Sequence, residues 1–165
     1  MKTPEQTFYE LYEAMGKLCQ ENNWGDPFSY ARSREIYMAA KLGHKVAESY
    51  SGADGIDEDG NGAEYKSTIC KTISATYNGI SVQETWEEQR DYLRNKKIGC
   101  YPNHYFARFE DHGIAEMYVA PANKVLDTLE PKLYNSFTKS LHRKDPRLGA
   151  SLTKGQILKI SRKII

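Results

Sequence analysis

The chain has 165 residues, a formal net charge of +1, 39% hydrophobic and 27% charged residues, which is the make-up of one ordinary globular domain spanning 1–165. No apolar run reaches membrane-span length, and Met1-Lys2-Thr3-Pro4 lacks the apolar core of a signal peptide, so a cytoplasmic protein without a membrane partner is expected. Cys19, Cys70 and Cys100 are odd in number and widely spaced, which speaks against a disulfide framework or a zinc cluster. The near-zero net charge hides an asymmetry. From Lys132 onward nine Lys/Arg face one acid, Asp145, leaving fourteen basic and twenty-one acidic residues before it. A chain polarised in this way suits an edge facing a polyanion, with a solvated basic tail over 132–165 as the plainer use.

In chain order, Thr3-Pro4-Glu5-Gln6 reads as an N-cap and first turn. Phe8, Leu11, Tyr12, Met15, Leu18 and Cys19 then recur at helical spacing, predicting a helix over 4–22. Its apolar stripe is read as a core face, with a dimer surface in the 1–25 segment as the other use. A second helix over 30–42 turns Ile36, Ala39 and Ala40 inward and stops at Gly43. A strand over 44–49 leads into a hairpin with strands 53–58 and 63–70, reversing at Asp59-Gly60 and Asn61-Gly62. Residues 71–76 look extended, Asn78-Gly79 turns the chain, and capping boxes at Ser81 and Thr85 start a helix running from about 84 to 96. Residues 104–110 and 114–119 form a second hairpin about Asp111-His112-Gly113, and Pro121 opens a helix bearing Val125, Leu126 and Leu129. This order predicts an α/β or α+β fold with a mixed central sheet flanked by helices.

The first hairpin carries the chemistry. Side chains alternate along a strand, so Glu64 and Lys66 share one face while Tyr65 and Ser67 take the other, and the turn can bring Asp54 alongside. Two carboxylates and an ammonium converging at one spot suit a hard divalent cation with a metal-bound water beside the lysine. A calcium loop is a competing reading, with Asp57, Asp59, Asn61 and Gly62 in its first six positions. Its twelfth position is Thr68, where a bidentate Glu is needed, and an exposed acidic hairpin tip is a further alternative.

Asp54, nine residues, Glu64-Tyr65-Lys66-Ser67 resembles the PD-(D/E)xK nuclease signature, most closely that of type II restriction endonucleases of the PvuII kind, with Ala53 in place of the signature's proline. The similarity extends faintly over residues 30–135, through Tyr105-Phe106-Ala107-Arg108, Gly113-Ile114-Ala115 and Leu129-Glu130-Pro131-Lys132. It implies a restriction-endonuclease-like core and sequence-specific, Mg2+-dependent hydrolysis of double-stranded DNA to 5′-phosphate and 3′-hydroxyl ends. Asp54 and Glu64 would hold Mg2+, with the Tyr65 carbonyl as a further ligand, and Lys66 would act on the attacking water or the scissile phosphate. Glu35, on the helix before the hairpin, resembles an acid that adds a contact to the metal or its water in many such nucleases; a local pair with Arg32 or Arg34 is the alternative. Tyr77, Asn78, Ser81 and Gln83 stand where groove-reading residues follow the catalytic strand, with a plain turn and N-cap as the other reading. Arg143, Lys144 and Arg147 are the candidate phosphate contacts, and palindromic cutting would require a homodimer. A junction-resolving nuclease or a non-catalytic nucleic-acid-binding module are the alternative functions.

Overall fold

The computed structural model describes residues 2–48, 52–140 and 146–165. They form a mixed α+β protein in two compact units that divide between Gly60 and Asn61. Among the described residues no helix is long and apolar enough to cross a membrane.

The first unit opens with α1 (Pro4–Glu21), whose start matches the sequence signal: Thr3 accepts from the Gln6 N–H while Gln6 reaches back to the Thr3 N–H, and Pro4 fills the first turn. The stripe on α1 departs from a core face. Tyr12 stacks on Phe28 with ring centroids 3.9 Å apart and Cys19 is buried, but Phe8, Leu11, Met15 and Leu18 remain 69, 60, 41 and 51% exposed. Periodicity reports that a helix is amphipathic and says nothing about what meets its apolar side. Helix α2 (Arg32–Leu42) ends at Gly43, whose φ of +73° is the left-handed cap geometry that glycine adopts without strain. Met38 and Ala39 are its buried apolar residues, while Ala40, expected inward, is exposed and Ile36 is half-buried. Strand β1 (Lys45–Val46) pairs antiparallel with β2 (Gly55–Ile56), and the Ala47 N–H continues the ladder to the Asp54 carbonyl at 3.2 Å. The rest of the expected strand, beyond residue 48, lies outside the described residues. The chain then turns at Asp57–Gly60: Asp57 caps the Asp59 N–H at 3.1 Å, its carbonyl accepts from Gly60, and Gly60 takes φ +84°. Asn61 ends the connection and Gly62 opens the next strand, neither with a positive φ.

In the second unit, β3 (Gly62–Thr68) pairs parallel with β5 (Asn103–Glu110), which pairs antiparallel with β6 (Gly113–Pro121), which in turn pairs with β8 (Arg162–Lys163). This sheet is mixed and mostly antiparallel, as the βαβ connection between β3 and β5 requires one parallel pair. That connection contains β4 (Ala75–Ser81), α3 (Trp86–Tyr92) and a π-helical turn at Leu93–Lys97. Of the two candidate capping boxes, Thr85 with Glu88 is the one that starts α3. Asn78-Gly79, expected as a turn, lies within β4 as a bulge: Gly79 takes φ +63° and the pairing register with β7 (Arg147–Leu152) shifts between Tyr77 and Ile80. The positive φ that makes Asn-Gly a turn signal serves a bulge equally well.

Helix α4 (Ala122–Ser140) buries Val125, Leu126, Leu129, Leu133 and Phe137 against a core that includes Ile80, Leu93, Phe106, Leu148, Leu152 and Ile157. Complete burial of each such side chain is worth roughly 1.5–3 kcal/mol. The C-terminal segment is therefore no tail. After α4 it forms β7, α5 (Lys154–Ile160) and β8, because Leu148, Leu152 and Ile157 interrupt its basic residues at core-facing positions. Charge count masked that pattern.

Candidate active site

The parallel pairing of β3 with β5 fixes both faces of β3. Ala63 and Tyr65 are buried, Tyr65 edge-on to Tyr105 with centroids 5.8 Å apart, so Glu64 and Lys66 project on the opposite face. The two form an ion pair, and their side chains are only 14 and 24% exposed. Water is thus partly excluded from both partners, which strengthens any charge interaction made there.

Behind this pair stand two aromatic groups. Lys66 Nζ lies 5.1 Å from the centroid of the Tyr77 ring, on β4, and the Tyr77 hydroxyl is 2.7 Å from Nδ1 of His104, on β5. His104 is fully buried, and its Nε2 is 2.9 Å from the Ile98 carbonyl oxygen. Burial is the largest influence on this imidazole and holds its pKa below the ordinary value; the Ile98 hydrogen bond opposes that shift. Nearby, desolvation raises the Cys100 thiol pKa.

The remaining acids of the expected site belong to the first unit. Asp54 and Glu35 line a pocket of about 330 Å³ together with Tyr30 and Arg32. Arg32 is buried to 1% exposure and organises this unit: Nε donates to the Trp24 carbonyl at 2.6 Å, Nη1 to Glu35 Oε2 at 3.2 Å, and Nη2 to the Ala47 carbonyl. The local pair of Glu35 with Arg32 is thus formed, while Glu35 also keeps a place on the pocket wall with Asp54. Tyr30 is 95% exposed at the pocket's rim with φ +53°, an unusual conformation for a residue with a bulky side chain. Nothing in the spacing of the sequence singled out Tyr30 or His104, and Arg32 entered only as a local partner for Glu35; aromatic, buried-cation and buried-imidazole roles depend on tertiary neighbours.

Among the described residues no three of His, Cys, Asp and Glu gather as a metal cluster. Glu64, Asp54 and Glu35 each offer only oxygen donors. That chemistry suits Mg2+, which is commonly held by one or two carboxylates, several waters and substrate phosphate.

Of the groove-reading candidates, Asn78 and Ser81 are exposed on β4 and Gln83 is half-buried just beyond it. Tyr77 is turned into the core, its hydroxyl engaged by His104. Ser81 is paired across the ladder with Arg147, which opens β7 and is exposed, so one polar and one basic candidate share an edge. Arg143 and Lys144 lie outside the described residues.

No family model matches this chain, and no curated protein matches it. The reading of the site therefore stands on its residues and their geometry.

Proposed function

We propose that this protein is a Mg2+-dependent endonuclease that cuts double-stranded DNA at specific sequences. The observation that carries the reading is the half-buried Glu64 and Lys66 pair on one face of β3, within the spacing Asp54-x9-Glu64-x-Lys66. In this reading Asp54 and Glu64 hold the cation, with the Tyr65 carbonyl as a further ligand. Asp54 is assigned by its sequence spacing. Bound Mg2+ would acidify water and neutralise charge developing on the phosphate. Lys66 orients the attacking water or steadies the scissile phosphate. Glu35 assists from its pocket wall, and Arg147 with Arg143 and Lys144 supplies contacts to the DNA backbone. Asn78, Ser81 and Gln83 are the residues left to read bases.

The test is incubation of the full chain with plasmid DNA in Mg2+, followed by sequencing of the ends. Discrete fragments with 5′-phosphates at a common sequence are expected. Resolution of a four-way junction without plasmid fragments would favour a structure-selective nuclease, and intact DNA in both assays would overturn the proposal.

A palindromic target requires two sites related by a two-fold axis, so a homodimer belongs to the same proposal. The exposed Phe8, Leu11, Met15 and Leu18 stripe of α1 is the surface we assign to it. Leu11→Glu with Met15→Glu is expected to convert a dimer to a monomer without lowering the melting temperature of the monomer, because both side chains are exposed within one chain. Light scattering after size exclusion reads the mass; an unchanged dimer would move the interface elsewhere.

A further inference from the structure

Lys66 does not reach its position by its own stem alone. Its ammonium lies over the face of Tyr77 at 5.1 Å, within the range of a cation–π attraction, while Glu64 holds it from the side. The orientation of Tyr77 is in turn set from behind. A carbonyl oxygen can only accept a hydrogen bond, so the His104 Nε2 facing Ile98 carries the hydrogen. In a neutral imidazole the other nitrogen is then an acceptor, and the Tyr77 O–H must donate to Nδ1. A phenol donating to an imidazole carries extra negative charge into its ring, which favours an ammonium on its face. The far end of this series is fixed as well. Ile98 follows the π-helical turn, with its own N–H and that of Gly99 both donating to the Leu93 carbonyl at 2.8 and 3.0 Å. A Cβ at position 99 would come within 2.3 Å of the Arg94 carbonyl oxygen, so the turn closes only around glycine.

We propose that Tyr77 and His104 are positioning residues for Lys66, His104 locking the Tyr77 ring and the ring holding the ammonium in place beside Glu64. The proposal rests on the reading of Lys66 as the catalytic lysine, and it gives Tyr77 a role inside the protein in place of contact with bases. Around Lys66 a carboxylate, a ring face and, behind that ring, a tautomer-fixed histidine act on a single ammonium.

The experiment combines nuclear magnetic resonance of lysine side chains carbon-labelled at Cε with single-turnover plasmid cleavage, both on the full chain. Lys66→Ala identifies the Lys66 signal by its disappearance. In the wild type the ε-methylene protons should be shifted upfield by the Tyr77 ring current. The shift should persist in Tyr77→Phe and vanish in Tyr77→Leu. Turnover should fall roughly tenfold in Tyr77→Leu, the scale of a desolvated cation–π contact, with DNA binding unchanged. Tyr77→Phe, which keeps the ring and loses the lock, should fall severalfold. His104→Gln should stay near the wild-type rate, because its amide donates to Ile98 and accepts from Tyr77, whereas His104→Leu should not. On a Lys66→Ala background, Tyr77→Leu should cost nothing further, since the group it positions is gone. An unshifted Lys66 signal in the folded wild type would overturn the proposal. So would a Tyr77→Leu loss as large without Lys66 as with it. If Tyr77→Leu fails to fold, the contrast between Tyr77→Phe and His104→Gln decides, and equal rates in both would overturn it. A wild type that cleaves no DNA would sink the nuclease reading instead, and the ring-current shift would then decide the positioning alone.

Discussion

Asp54→Ala and Glu64→Ala are each expected to reduce Mg2+-dependent DNA cleavage by a factor on the order of 10³ or more, and extra Mg2+ should not restore it. Ligand number sets the size of the loss. A site with two carboxylates has little to spare, and removing one takes away a negative charge as well as a donor atom. A cation lost or displaced at a phosphoryl centre forfeits several kcal/mol of transition-state stabilisation, with each ~1.4 kcal/mol a factor of ten in rate. Glu35→Gln should cost less, since its carboxylate is already committed in part to Arg32. Single-turnover plasmid cleavage over a Mg2+ titration checks all three, with thermal melts to confirm folding. Cleavage by Asp54→Ala or Glu64→Ala at near wild-type rate would remove that residue from the metal site.

How far the sequence foretold this molecule depends on the kind of signal. Signals confined to one stretch of chain came through. The Thr3 and Thr85 capping boxes, the Gly43 helix end and the alternation of Glu64 and Lys66 with Tyr65 each depend on neighbours a few residues away. Signals that need to know what packs opposite did not. The same periodicity that placed α1 could not tell a core face from an exposed one, and Asn78-Gly79 supplied the backbone of a bulge where a turn was expected. The basic C-terminal segment looked like a solvated tail because its apolar residues are spaced for a strand and a short helix whose partners, β4 and β6, lie far away in sequence.

The candidate site divides along the same line. Glu64 and Lys66 were legible because a strand's two-residue period puts them together whatever surrounds them. Tyr77 was legible only as one of several polar residues after β3, and its hydroxyl meets His104, twenty-seven positions later and itself indistinguishable in sequence from a surface histidine. Arg32 was legible as a local partner for Glu35, a pair that forms, but its burial and its bonds to the Trp24 and Ala47 carbonyls depend on neighbours outside the helix.

Lys66→Ala separates chemistry from binding, and turnover is expected to fall by a factor on the order of 10² or more, the usual scale for a positioned proton-transfer or charge-stabilising group. Specific DNA binding, measured by fluorescence anisotropy without Mg2+, should persist, because one phosphate contact among several is a small part of the affinity. Folding should persist as well: the Lys66 side chain is 24% exposed, and the Glu64 left behind is 14% exposed and retains access to water. Lys66→Arg adds a finer division. Arginine keeps the positive charge but does not release its proton in the accessible pH range. A lysine that only stabilises phosphate charge should therefore be partly replaced by arginine, while one that takes a proton from water should not. Normal cleavage by Lys66→Ala would break the Glu-x-Lys reading; joint loss of binding and folding would make Lys66 a structural residue of β3, its ion pair with Glu64 serving the sheet alone.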